Sequence, residues 1–184
     1  ITLPTGLDKD GRDRTAVCCL SCVNLEKYDE WKDDPDMIGD VMRFLDNVLS
    51  DFINKAPEQF KDAKYSAERE RSVGLGVMGF HSFLQQKRIP LESVMAKSWN
   101  KKIFKNIHEK VNQASKDLAE ERGACPDAAE YGFKERFSNK TAIAPTASIS
   151  IICGGASPGV EPIAANSYTH KTLSGSFNVR NRYL

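Results

Sequence analysis

No stretch of this chain approaches the roughly 20 consecutive apolar residues that a membrane-spanning helix needs, so a transmembrane function is not expected. Charge of one sign is also missing. Lys and Arg total 26 against 25 Asp and Glu, a formal net charge of +1, and this removes the broad basic field expected of a nucleic-acid binder. Five cysteines show no framework spacing, and three of them fall at Cys18, Cys19 and Cys22. That pattern excludes a disulfide scaffold and suggests a reducing compartment, so the expected location is cytoplasmic. The opening ITLPTGLDKDGRD is polar and turn-rich, unlike a secretory leader. Histidine is scarce. His81, His108 and His170 are scattered, none is near another in sequence, and each reads as a packing or surface residue. There is no internal repeat and no low-complexity tract.

What remains is an ordinary soluble composition, 40% hydrophobic and 28% charged over 184 residues, enough for one domain with a real core. Arg14 to Leu25 (RTAVCCLSCVNL) reads as a buried strand of small and β-branched residues. Met37, Ile38, Val41, Met42, Leu45, Val48, Leu49, Phe52 and Ile53 recur at three- and four-residue spacing, which predicts an amphipathic helix ended by Pro57. Residues 58–72 are polar and are expected to cross the surface. Val73 to Gln86 reads as a glycine-rich helix. A further helix is predicted from about Leu91 to Arg122, with a core stripe of Val94, Trp99, Ile103, Ile107, Val111, Ala114 and Leu118 and a cap at Gly123. The charges at Lys101, Lys102, Lys105, Glu109 and Lys110 form a solvated face. Residues 124–140 are irregular. From Thr141 to Pro162 the chain turns small, apolar and hydroxyl-rich, which implies burial at a site. Strand, helices and a return to strand predict an α/β fold with crossover connections, the whole chain forming one partial domain.

Four constellations carry possible chemistry. Cys19-x-x-Cys22 suggests a metal, but Cys125 and Cys153 stand alone and no second ligand pair exists. On an extended strand Cys19 and Cys22 would face opposite sides, whereas Cys18, Leu20 and Cys22 would share one face. Buried packing and redox chemistry of the thiols therefore stand ahead of metal binding. Gly74-x-Gly76-x-x-Gly79 matches the dinucleotide fingerprint in letters, but the preceding SAERERS is not a hydrophobic strand, so close helix packing is the better account. In Ala144-Pro145-Thr146-Ala147-Ser148-Ile149-Ser150, proline precedes small hydroxyl residues at a predicted helix start. Free N–H groups, hydroxyls and the helix dipole there could hold a phosphate without lysine, and a plain helix cap is the alternative. GGASPG beyond it should keep the surroundings open. Glu161, a lone acid in an apolar segment, is expected to be a partnered buried carboxylate.

Taken together, TAVCCLSCVNL, ERERSVGLGVMGFHSFLQ, ASKDLAEERGACP and SNKTAIAPTASISIICGGASPGVEPIAANSYTHKTLSGSF resemble the large catalytic subunit of ribonucleotide reductases. The blocks occur in that family's order and cover most of the chain. The resemblance implies part of a ten-stranded α/β barrel. It implies that Pro145, Thr146, Ala147, Ser148 and Ile149 bind the phosphates of a ribonucleoside diphosphate or triphosphate. Some members carry a carboxylate where Ala147 stands, and its loss leaves the backbone donors intact. Cys18 matches the downstream member of the redox pair that becomes a disulfide as the ribose is reduced. Cys19 and Cys22 receive no role.

The resemblance also says what to expect outside these residues. An Asn-x-Cys-x-Glu loop, carrying the radical cysteine and the general base, precedes the family segment that matches Ile1 to Pro4. The redox partner of Cys18, the allosteric region, the relay tyrosines and the shuttle cysteines lie elsewhere in the family's chains. The start at Ile1 and the stop at Leu184 read as those of an internal fragment, which is expected to be inactive alone and to expose unpaired strand edges. No metal or cofactor is expected on this segment. The intact enzyme would need a radical generator, either a metal-containing small subunit or adenosylcobalamin, and a thioredoxin- or glutaredoxin-type reductant. The remaining catalytic-subunit segments and that small subunit would be its partners. From other classes, a non-catalytic phosphate- or nucleotide-binding module and a degenerate scaffold chain are the alternatives.

Overall fold

The structure is a computed structural model that describes residues 3–172 and 175–183. The chain forms two compact units. One comprises residues 1–21, 34–75 and 105–142, and the other residues 22–33, 76–104 and 143–184.

In the first unit, β1 (Gly6–Leu7) and β2 (Asp13–Arg14) form a short antiparallel hairpin. Its turn is held by Asp8, whose carboxylate accepts the backbone N–H groups of Asp10 and Arg12, each at 3.0 Å. Residues 15–19 are not strand; β3 (Leu20–Asn24) begins only at Leu20, shorter than the sequence pattern predicts. The helix α2 (Met37–Lys55) follows its apolar spacing closely, after α1 (Tyr28–Trp31). Ile38, Met42, Leu45, Leu49 and Ile53 are buried, and each contributes about 1.5–3 kcal/mol by leaving water. Val48 instead faces solvent at 43% exposure. Ala56 leaves the helix with ψ 124°, the extended geometry that the ring of Pro57 imposes on its predecessor.

Residues 58–72 do not cross the surface as irregular chain. Ten of them form α3 (Lys61–Glu70), which buries Ala63, Tyr65, Ser66, Ala67 and Glu70. Small residues on that face allow close packing, a signal that hydropathy alone hides beneath the surrounding charges. Arg71 ends the helix in the left-handed region at φ 42°.

The glycine segment differs most from expectation. It is a strand, β4 (Gly74–Met78), buried throughout and paired with β3 in a two-stranded sheet. Leu75 also forms a parallel bridge to Thr141. A Cβ on Gly74 would collide with the Leu20 side chain and lie 2.7 Å from Ala142 Cβ. Glycine is thus required by sheet packing. Because Gly74 and Gly76 sit inside the strand, and only Gly79 lies in the turn after it, no phosphate-cradling loop exists here.

The 29-residue helix α5 (Val94–Arg122) follows α4 (Phe80–Gln86). In the first unit α5 buries Ile107, Val111, Ala114 and Leu118. Gly123, at φ 88°, caps it and donates its N–H to Ala119 O at 3.0 Å. In the second unit α5 buries Ala96 and Ile103 while Val94, expected in the core, is 82% exposed. The second unit's core includes Leu25, Val77 and Leu84 with an aromatic chain: Tyr28 lies edge-on to Trp31 and Phe83, and Phe83 edge-on to Trp99. α6 (Pro126–Glu130) belongs to the first unit, and α7 (Ala147–Ile152) to the second. The second unit ends in the antiparallel hairpin β5 (Ser167–Thr172) and β6 (Gly175–Arg180). Among the described residues, no helix is long and apolar enough to cross a membrane.

Candidate functional site

The two sets of candidate residues lie in different units, Cys18 in the first and residues 145–149 in the second. Each set is described within its own unit.

Cys18 sits just before β3, where the backbone is irregular, so strand alternation does not orient it as expected. It is a free, exposed thiol. With Leu3, Val17, Leu20, Val73 and Gly74 it lines a mainly apolar cleft of about 230 Å³. Its neighbour Cys19 is buried, with Sγ 3.7 Å from Leu45 O. Burial pushes the Cys19 thiol above its ordinary pKa and does the same to Cys22 and Cys125. A raised pKa leaves less thiolate on those three sulfurs at neutral pH, and so less nucleophilic character. Among the described residues, no group of three or more His, Cys, Asp or Glu converges to hold a metal.

In the second unit, Pro145 and Thr146 lead into α7. Thr146 is buried and occupies the left-handed region at φ 49° and ψ 23°, an uncommon backbone for a β-branched residue. Its hydroxyl does not cap the helix, contrary to the sequence pattern. It accepts the Gly159 N–H at 2.7 Å instead. The helical ladder begins with Ser150 N donating to Thr146 O at 3.0 Å. The amides of Ala147, Ser148 and Ile149 are therefore the first-turn donors that α7 cannot use, and all three residues are exposed. Ser148 adds an exposed hydroxyl, whereas Ser150 turns its own back to Ala147 O at 2.9 Å. The dipole of a six-residue helix is small, so any attraction for an anion here would come chiefly from the amides themselves.

The surroundings of this loop are more closed than the glycine-rich GGASPG suggests. Ser157 is fully buried. It exchanges bonds with α4: Ser82 N donates to Ser157 Oγ at 3.1 Å, and Ser157 N to Ser82 Oγ at 2.9 Å. Gly79 N also donates to Ser157 O at 2.7 Å. Glu161 is not a buried, partnered acid. It is exposed, and its carboxylate folds against the Cα of Gly159, where a side chain would collide with it. His81 Nδ1 accepts the Ile163 N–H at 3.1 Å, and burial pushes its pKa down. His108 bonds Asn112 at 2.9 Å, and the side chain of His170 lies outside the described residues.

Among the buried carboxylates that the sequence did not single out, two are held by arginines. Glu26 receives both Arg182 and Tyr183, and Arg182 Nη1 also reaches Gly154 O at 2.6 Å, just past α7. Asp46, fully buried on α2, is bound by Arg71 at 2.6 Å, Arg122 at 2.8 Å and Arg136 at 2.9 Å. Burial alone would raise the Asp46 pKa, but Arg136, Arg71 and Arg122 together hold it below the usual carboxylate value. The sequence offered one signal: Asp46 stands at an inward-facing position of the amphipathic helix, where an acid needs a partner.

Known proteins share this chain's pattern. The family described as "Ribonucleotide reductase, barrel domain" matches residues 7–135 and 127–184. The ribonucleoside-diphosphate reductase large subunit of Invertebrate iridescent virus 6 is 53% identical over 93% of this chain and 18% of its own length. The vitamin B12-dependent ribonucleoside-diphosphate reductase of Thermoplasma acidophilum is 39% identical over 86% of this chain and 21% of its own. Among solved structures, the Actinobacillus ureae class Id ribonucleotide reductase alpha subunit superposes with a TM-score of 0.78 at 41% identity, covering 83% of this chain and 29% of that one. The chain thus spans between 18% and 29% of the length of these relatives. Its α/β elements, its ordered motifs and these matches make it a member of the ribonucleotide reductase barrel-domain family, corresponding to a part of proteins named as large or alpha subunits.

Proposed function

We propose that the chain serves ribonucleotide reduction as the part of the catalytic subunit that anchors the substrate's phosphates and supplies one reducing thiol. The observation that carries this reading is the run of exposed residues Ala147, Ser148 and Ile149, whose amides precede the first helical bond of α7, on a backbone braced by the Thr146–Gly159 bond. A phosphate there meets several N–H donors and the Ser148 hydroxyl, and needs no lysine. The relatives are named for ribonucleoside diphosphates, which supports the diphosphate as substrate.

Cys18 fits the reducing role because it alone in its cluster combines exposure with an open cleft. Reduction of the ribose releases one oxygen as water and takes two hydrogens. Cys18 and a second thiol outside these residues provide them and join as a disulfide, which a dithiol protein reductant reopens. The radical generator supplies the initiating electron chemistry. Relatives include vitamin B12-dependent and other reductases, so either adenosylcobalamin or a metal-containing small subunit fills that place. The reading sets the enzyme in the cytoplasm, where thiols stay reduced.

The test is an enzyme complemented with the remaining catalytic segments, carrying Cys18→Ser. Multiple-turnover reduction should cease while nucleoside diphosphate binding persists. Undiminished turnover would remove Cys18 from the chemistry.

A further inference from the structure

Glu70, the last residue of α3, is 1% exposed, yet its Oε2 has no hydrogen-bond partner. Burial pushes its carboxyl pKa up, and the Ser72 hydroxyl offsets this only in part. An unpaired buried carboxylate oxygen costs free energy that the fold leaves uncompensated. Glu70 lines a cavity of about 510 Å³ within the first unit.

The other charges on that cavity wall are already paired. Asp127 is bound by Arg14 at 2.6 Å and Arg69 at 2.7 Å, and Glu135 by Lys140 at 3.1 Å. Glu70 is the group without an ion-pair partner of its own; when it is ionised, the Arg14 guanidinium, already held by Asp8 and Asp127, offsets its charge only in part. Two aromatic rings border the same cavity, Tyr131 at 79% and Phe133 at 63% exposure. Such rings face water at a cost, and their faces attract cations. A cavity lined by an acid without an ion-pair partner and by exposed aromatic residues suits a flat or compact cation better than an anion or an apolar ligand.

We propose that this cavity is a receptor for one guanidinium or ammonium group, with Glu70 as its counter-ion and Tyr131 and Phe133 as its aromatic walls. The site owes nothing to the phosphate loop or to Cys18, and its test is independent of theirs. The occupant is either a basic side chain of a polypeptide segment outside these residues or a free small cation. Both present the same head group.

The experiment follows the Glu70 carboxyl carbon by NMR in the glutamate-labelled 184-residue chain, titrated with methylguanidinium at constant ionic strength. Saturable movement of the Glu70 resonance is expected, with binding at least tenfold weaker for Y131A/F133A. Glu70→Gln, which keeps shape but not charge, should abolish saturation on the Tyr131 ring protons. A capped Gly-Arg-Gly peptide that binds more tightly than methylguanidinium identifies a protein side chain, and the reverse order a free cation. Absence of saturation in the wild-type chain, or equal binding by E70Q, would overturn the proposal.

Discussion

Replacing Asp46 by Asn should remove much of the first unit's stability. The carboxylate is fully buried, and its two oxygens receive Arg71, Arg122 and Arg136 from three separate segments. Asparagine keeps the volume but removes the charge, and its amide presents N–H groups to guanidinium donors. Arg71 and Arg136, whose side chains are only 10% and 11% exposed, would be left without their counter-ion. Breaking one side of a buried ion pair costs about 3–5 kcal/mol. With a urea dependence of about 2 kcal/mol/M, a loss of about 4 kcal/mol lowers the unfolding midpoint by about 2 M. Equilibrium urea unfolding at pH 7, followed by circular dichroism, measures it. The folded pKa of Asp46 is depressed, so its stabilisation is complete above the unfolded value of about 3.9 and is lost as pH falls through the folded value. The gap between wild type and D46N should hold steady from pH 7 to about pH 4 and close below that. A loss under about 1 kcal/mol, or a gap unchanged at pH 2, would refute the reasoning.

Gly74→Ala should destabilise by about 1–3 kcal/mol, because the new methyl meets Leu20 and Ala142, and thermal melting reads it. Thr146→Val should cost about 1–3 kcal/mol by leaving the Gly159 N–H unpaired, whereas Thr146→Ser keeps the acceptor; phosphate affinity by calorimetry should fall in the first and persist in the second. In the native chain, a thiol reagent at pH 8 should modify the exposed Cys18 and Cys153 rapidly, and Cys19 and Cys125 only after unfolding, as peptide mapping will show.

The sequence exposed the long helices plainly, since α2 and α5 repeat their apolar residues over five and eight turns' worth of chain. It misassigned β4, where glycines dilute the hydrophobic signal and the strand's identity comes from a crowded sheet. It missed α3, whose buried face of Ala63, Tyr65, Ser66, Ala67 and Glu70 carries little hydropathy. For the site, the position of the amide donors followed from proline and small residues near a helix start. The use of Thr146 did not, because its partner Gly159 lies thirteen residues away. The same limit hid the arginines around Asp46, which converge from residues 71, 122 and 136. Local pattern shows which residue needs a partner, and only the fold supplies it.

The bond from Gly159 to Thr146 has a consequence for engineering. The heptapeptide from Ala144 to Ser150 does not encode its own geometry, since its left-handed threonine is anchored by a distant glycine, and the neighbouring Ser157 is anchored in turn by Ser82. Transplanted into another scaffold, those seven letters would relax, and their amides would no longer converge. The portable unit is the loop together with its far brace.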